Sequence, residues 1–384
     1  MVDGGIQRRS FGSGLPVLIS ILFILVAPVE NIYRTEQYVY IIGVVALGAC
    51  LIFRRSFKLN SSRYWLYFMV YAFFACTWSK NTGAYASLLT MYAQLLFLIL
   101  QLQFPYSTED YQKIKVAFLI QNWILIVLCF RFGSYMDSRF WLKSALSGAD
   151  PNYLSGWFII PLCFAVEFLF SEKTKLWQKA IVAAQIAVSF YFIMQTASKS
   201  GLITNAFAIA LATLYTLRDT VRKHPLRALL VVAVFITGVV LVVNYMPTYL
   251  LSRLSNRDLT LTGRTRWWKE ALGTLLSNPL GLIFGFGTAS VSLYTSSGMV
   301  THNTFLDVFF NQGIIGLTLL LIFMFSGLRE KWRSRPYVVV ALLSMSVLIF
   351  TLSAFSTRFV MLMFFLVGAD IKDEENSEAE METV

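Results

Sequence analysis

The residues best able to do chemistry fall between Arg264 and Asp307. His302 is one of only two histidines. Imidazole takes up a proton near neutral pH, so His302 reads as a general base. The alternative is an interfacial histidine that hydrogen-bonds a loop carbonyl. Thr304 and Asp307 are spaced as in a capping box, although Glu or Gln is the usual partner. Asp307 therefore either caps the next helix or orients His302. The segment from Gly263 to Leu272 reads as a short amphipathic helix with Thr262 as its N-cap. Arg264 and Trp268 are four apart and share a face. Either that helix lies on the bilayer surface, or Arg264 or Arg266 turns inward to grip an anion; the two are compatible. Arginine's planar fork suits phosphate oxygens.

Other polar groups fall in shorter links. Asp150-Pro-Asn152 has the Asp N-cap and first-turn Pro of an ordinary helix start. Lys199 sits within Ser198-Lys-Ser-Gly201, and Trp78-Ser-Lys-Asn81 ends an apolar run. Arg358 is a charge at the edge of apolar sequence, and needs either a phosphate or access to the interface. Gly281, Gly285 and Gly287 match no nucleotide-binding fingerprint, so turns are their default and an anion-binding loop the sharper alternative. His224, among Arg222, Lys223 and Pro225, reads as a solvated loop residue. No metal-ligand cluster and no outward Asp-x-Asp is present, so no cofactor is expected.

These residues must be held by apolar elements. The chain has 384 residues, 57% hydrophobic and 14% charged, against about a quarter charged in soluble domains. Twelve apolar runs, near 15–29, 37–53, 63–78, 83–102, 115–132, 152–171, 177–196, 200–217, 228–245, 303–327, 336–352 and 354–369, approach the length of a spanning helix. The fold class is all-α: a polytopic helical membrane protein of about 12 transmembrane helices with one long outward-facing loop. Most of the 32 basic residues fall on the side that holds both termini, which places the termini in the cytoplasm and the loop outside. Residues 1–369 form a single transmembrane domain, 246–302 its outward loop, and 370–384 an acidic tail too polar to fold. Arg8-Arg9 ahead of the first run flank an uncleaved helix, with no small-residue cleavage site following. Cys50, Cys76, Cys129 and Cys163 fall in different apolar runs and read as small buried residues. The net charge of +11 follows from the inward bias and does not imply nucleic acid; it also favours anionic lipid.

The order of these motifs resembles the O-antigen ligase and O-antigen polymerase superfamily. The residues that carry the resemblance are Gly263-Arg264 with Trp268, Asn278-Pro279 followed by Gly285 and Gly287, His302-Asn303 with Leu306, and Gly313 with Gly316. Asp150 to Asn152 and Ser198 to Ser200 fall where that family often has similar short motifs. The resemblance implies a metal-independent, inverting glycosyltransferase of the bacterial inner membrane that faces the periplasm. Its donor would be a glycan on undecaprenyl pyrophosphate. A polymerase moves that glycan onto another lipid-linked repeat unit, and a ligase moves it onto lipid A core. A chain-length regulator is a further expected partner of the surface-polysaccharide machinery. By this resemblance His302 is the base and Arg264 holds the pyrophosphate. Arg266, Lys199, Arg358, Asn303, Trp268, Asp150 and Asn152 are expected to contact substrate. Lys199 stands where relatives often have arginine; it keeps the charge and loses the bidentate fork. The polymerase is the favoured reading and the ligase the alternative. A flippase of lipid-linked sugars would instead show internal repeats and broken charged helices in mid-membrane.

Overall fold

The computed structural model describes residues 11–33, 36–54, 63–143, 148–223, 248, 252, 264–296 and 298–372. The apolar run at 228–245, His224, Thr262, Gly263, Arg8, Arg9 and the tail beyond Lys372 lie outside the described residues.

Helices occupy each of the remaining apolar runs. They are α1 (Phe11–Val26), α2 (Glu36–Arg54), α3 (Arg63–Phe74), α4 (Ala84–Gln101), α5 (Thr108–Phe132), α6 (Pro151–Gly156), α7 (Ile159–Phe170), α8 (Leu176–Gln195) and α9 (Lys199–Lys223). The polar segment carries α10 (Arg264–Leu276), α11 (Pro279–Phe284) and α12 (Val291–Tyr294), and α13 (Thr304–Phe325), α14 (Leu328–Ser334), α15 (Pro336–Ile349) and α16 (Arg358–Gly368) follow. Among the described residues, five helical stretches are long and apolar enough to cross a membrane: Thr108–Phe132, Pro151–Phe170, Leu176–Gln195, Lys199–Arg218 and Thr304–Ser334.

The core is built on helices that are apolar all round, which is the pattern of an element enclosed by others. Every residue of α16 is buried, as is Ile159–Val166 of α7. α9 and α15 pack on α7, while α3 packs on α13. Many apolar side chains elsewhere remain exposed, among them Ile41, Ile42 and Val45 of α2 and Val127 and Phe130 of α5. On a membrane protein this is the surface lipid would cover.

The all-α expectation needs one correction. Strands β2 (Gly133–Met136), β3 (Arg139–Lys143) and β4 (Gly148–Ala149) form a small antiparallel sheet between α5 and α6. Its hairpin turns at Asp137 and Ser138, with φ 52° and 59°. Two left-handed residues match the right-handed twist of the paired strands. A parallel pair, β1 (Pro105–Ser107) with β5 (Asp370–Lys372), lies before α5 and after α16. Lys115 of α5 and Glu167 of α7 make a partly buried ion pair at 2.6 Å.

The glycines of the polar segment serve close packing. Gly285 ends α11 at φ 78°, ψ 174°, a region open essentially to glycine alone. Gly313 breaks α13 at φ 64°, ψ −167°. A Cβ on Gly285 would strike the Asn311 carbonyl, and one on Gly313 the Ile283 carbonyl. The amides that follow are used too: Phe286 N–H donates to the Phe310 carbonyl at 2.9 Å and Gly287 N–H to the Asn311 carbonyl at 3.0 Å. These groups pair with carbonyls and form no anion loop. The turn after α3 latches on from the other side, with Ser79 Oγ donating to the Thr288 carbonyl (2.8 Å) and Asn81 Nδ2 to the Ala289 carbonyl (2.7 Å).

Candidate functional site

His302 occupies the turn between the polar segment and α13, with φ 53°. The left-handed region is uncommon for a side-chain-bearing residue, with histidine among the more tolerant. The turn is fixed from several directions. The Thr301 carbonyl accepts from Trp268 Nε1 at 2.8 Å. Asp307 Oδ1 accepts from Thr301 N–H at 3.1 Å and from Thr301 Oγ1 at 2.6 Å. Asn303, not Thr304, is the N-cap of α13, its side chain accepting from Leu306 N–H at 3.1 Å. Thr304 Oγ1 instead donates to the Leu352 carbonyl (2.6 Å) and accepts from Ala354 N–H (2.9 Å). Asp307 thus neither caps α13 nor bonds His302. Its second oxygen accepts from Ser353 Oγ, so the carboxylate braces the turn against the α15–α16 connection.

The His302 ring lies against the Trp267 ring, centroids 5.3 Å apart. Burial pushes its pKa below the ordinary value; the Arg264 guanidinium lowers it further and the Asp150 carboxylate opposes. The imidazole is therefore neutral at pH 7, with a lone pair available to take a proton.

Arg264 opens α10 on the face of Trp268, as the four-residue spacing requires. It is half-buried, and Nη1 donates to the Thr351 carbonyl at 2.7 Å. Desolvation lowers its pKa, while Asp150 and Tyr153 act the other way. The structure thus brings Arg264, His302 and Asp150 into one electrostatic group. Asp150 also does what its Pro neighbour promised: it N-caps α6, accepting from Asn152 N–H at 2.8 Å.

Asn152 extends the group. Its Oδ1 accepts from Ser198 Oγ at 2.8 Å and from an Arg139 guanidinium nitrogen at 3.0 Å. Arg139 Nε also donates to the Thr196 carbonyl at 3.1 Å. Arg139 is the residue that sequence reasoning missed. Its strand hides in the link between two apolar runs, although alternating Tyr135, Phe140 and Leu142 around Asp137-Ser138 carries a hairpin signal. Lys199 opens α9 next to this network, half-buried.

Arg266 departs from expectation. Its side chain is 73% exposed and pairs with Glu270 at 3.0 Å, with a further bond to Ser296 Oγ. Two helical residues beyond Arg264 it is turned about 200° around the axis, and it points away from the fold. Arg358 is 4% exposed, its side chain enclosed by the fold. Its Nε donates to Tyr40 OH at 2.6 Å, and the guanidinium lies 4.9 Å from that ring's centre.

Two cavities flank the Ser353–Thr357 turn. One, of about 350 Å³, is bounded by Asp150, Tyr153, Arg358, Thr357, Gln94 and Asn31 among others. It joins the Asp150 group to the buried arginine. The other, of about 390 Å³, runs beneath the Thr301 turn along Asp307 and Asn311. Among the described residues no three His, Cys, Asp or Glu side chains gather as a metal site.

Comparison with known proteins points to the same superfamily as the motifs. Residues 184–321 match a family model described as O-Antigen ligase. That span holds Lys199, Arg264, Arg266, Trp268, His302 and Asn303; Asp150, Asn152 and Arg358 lie outside it. The chain is also similar to the "Exopolysaccharide production protein ExoQ" of Rhizobium meliloti (strain 1021), 25% identical over 275 residues. That alignment covers 67% of this chain and 62% of the relative's length.

Proposed function

We propose that this chain, related to the O-antigen ligases and polymerases, is a membrane glycosyltransferase that lengthens a bacterial surface polysaccharide. Its donor is a glycan on undecaprenyl pyrophosphate, and its acceptor is a second lipid-linked repeat unit. The observation that carries the reading is the grouping of neutral His302 with Arg264 and Asp150, beside a cavity that holds Arg358.

The transfer balances on these residues. His302 takes the proton from an acceptor hydroxyl as its oxygen attacks the anomeric carbon. The bond from that carbon to the phosphate oxygen breaks, and lipid pyrophosphate leaves with the electron pair. Attack opposite the leaving group inverts the centre. A pyrophosphate is already a good leaving group, so cationic stabilisation by Arg264 and Arg358 is the main requirement. Arg139, Asn152 and Lys199 lie beside the site, Arg139 bonded to Asn152 and Asn152 to Asp150. Arg266 belongs to the outer surface.

The same reading takes twelve spans in an inner membrane, cytoplasmic termini, and a periplasmic loop that sets His302 at the outer interface. The transmembrane domain is then residues 1–369, with 246–302 as its loop and 370–384 as the tail. Short-loop charge bias supports this orientation. The relative's name, an exopolysaccharide production protein, favours the polymerase. The family description, O-Antigen ligase, favours transfer to lipid A core.

Deleting the gene and running the surface polysaccharide on a gel tests the reading. Loss of long chains with single units still attached is the polymerase outcome. Long lipid-linked chains left unattached identify a ligase, and single units trapped on the cytoplasmic face identify a flippase. An unchanged polysaccharide removes all three.

A further inference from the structure

The cavity beneath the Thr301 turn differs in chemistry from the one that holds Arg358. Its polar lining includes Asp307, Asn311, Gln312, Ser292, Ser353 and Ser356, with no lysine or arginine among the described residues. A site with a carboxylate and no cation repels phosphate. Side-chain amides and hydroxyls, each able to donate and accept, suit a neutral polyol instead.

Several of these groups keep hydrogen-bonding capacity not used by the described residues. Asn311 Oδ1 accepts from Ser290 N–H at 2.9 Å, while its Nδ2 donates to no described residue. Among the described residues the hydroxyls of Ser292 and Ser356 also have no partner. Among the described residues Asp307 Oδ2 accepts from Ser353 alone, which leaves lone-pair capacity for a hydroxyl. Phe68 and Phe355, whose ring centres are 5.3 Å apart, supply an apolar wall. Ligand sites of this kind combine aromatic surface with a few placed polar groups. The cavity also ends at Val300, two residues before His302.

We propose that this cavity is the acceptor subsite, and that it binds the uncharged, hydroxyl-rich saccharide whose hydroxyl His302 deprotonates. This rests on the glycosyltransferase reading and divides its site in two. The Ser353–Thr357 turn separates a saccharide cavity from a pyrophosphate cavity, and Ser356 borders both. Asp307 then has two contacts at once: it braces the Thr301 turn and receives an acceptor hydroxyl.

The test uses the full chain in lipid nanodiscs and two probes. One is the repeat-unit oligosaccharide released from the mature polysaccharide by mild acid, free of lipid and phosphate, followed by saturation-transfer NMR. The other is inorganic pyrophosphate, followed by phosphorus NMR. Ser292→Phe fills the cavity from its wall, and Val300→Trp narrows it from an exposed rim position that tolerates a large side chain. Each is expected to weaken the oligosaccharide signal at least tenfold and to leave pyrophosphate binding unchanged. His302→Asn should keep the oligosaccharide signal while chain growth stops. Oligosaccharide binding at the wild-type level in both filled variants overturns the inference, as does the absence of that signal from the wild type. Loss of pyrophosphate binding in both overturns the division into two cavities. Chain growth that persists in His302→Asn removes the glycosyltransferase role of His302, whichever way the oligosaccharide binds.

Discussion

His302 carries both a chemical and a backbone burden, and substitutions can separate them. Its φ of 53° costs an ordinary side chain about 1–2 kcal/mol, and asparagine is among the residues that tolerate the region best. The Trp267 ring contact contributes about 0.5–1.5 kcal/mol. His302→Asn forfeits that contact and keeps the turn, so its stability should fall by about 1 kcal/mol. His302→Val loses the contact and adds the full strain of a β-branched residue, about 2–3 kcal/mol together. Removal of a general base raises the barrier by about 3–5 kcal/mol, or about 10²–10⁴ in rate. The asparagine variant should therefore be nearly as stable as the wild type and nearly inactive. Chain growth on extracted lipid-linked substrate measures activity, and loss of the folded protein on heating in detergent measures stability. Growth within about threefold of wild type, far short of the loss expected for a missing base, would falsify the role of His302 as base. Equal loss of stability in the asparagine and valine variants would instead assign the defect to the turn.

Two further outcomes follow from the same geometry. His302 serves as base when neutral, so activity is lost as pH falls through its folded pKa. The Arg264 charge lowers that pKa and the Asp150 charge raises it, so the acidic limb of the rate profile should move to higher pH in Arg264→Gln. It should move to lower pH in Asp150→Asn, which retains an N-cap side chain; shifts in the same direction would break the electrostatic link. Gly285→Ala should destabilise the protein by more than about 2 kcal/mol, because a Cβ meets the Asn311 carbonyl at a φ that disfavours any side chain. A thermal scan showing wild-type resistance would remove the docking role given to that glycine.

The helices were legible because their apolar runs are long and sharply bounded. The run at 177–196 and the helix Leu176–Gln195 differ by one residue at each end. The site was legible in its residue types and only partly in its partners. Asp150 could be read as an N-cap from Pro151, and it is one. Nothing local reveals that its charge also reaches Arg264, since that meeting depends on how α6 and α10 pack. Asp307 looked like half of a capping box because Thr304 stands at the right spacing. Asn303 captures the cap, and Thr304 is drawn instead to the Leu352 carbonyl across the fold. Arg266 and Arg264 are equivalent by type and two residues apart. On a helix that places them on different faces, and Glu270, four residues on, holds Arg266 outward.

The break at Gly313 has a consequence for engineering. Because α13 opens there, the Phe310 and Asn311 carbonyls receive the amides of Phe286 and Gly287, and the turn at Ser79 closes on the same segment. The segment 264–296 is therefore not a detachable module. A chimera that takes residues 264–296 from one relative and the helices from another would inherit mismatched halves of three interlocked turns. A transplant that alters specificity would have to carry 75–81 and 310–313 together with the loop.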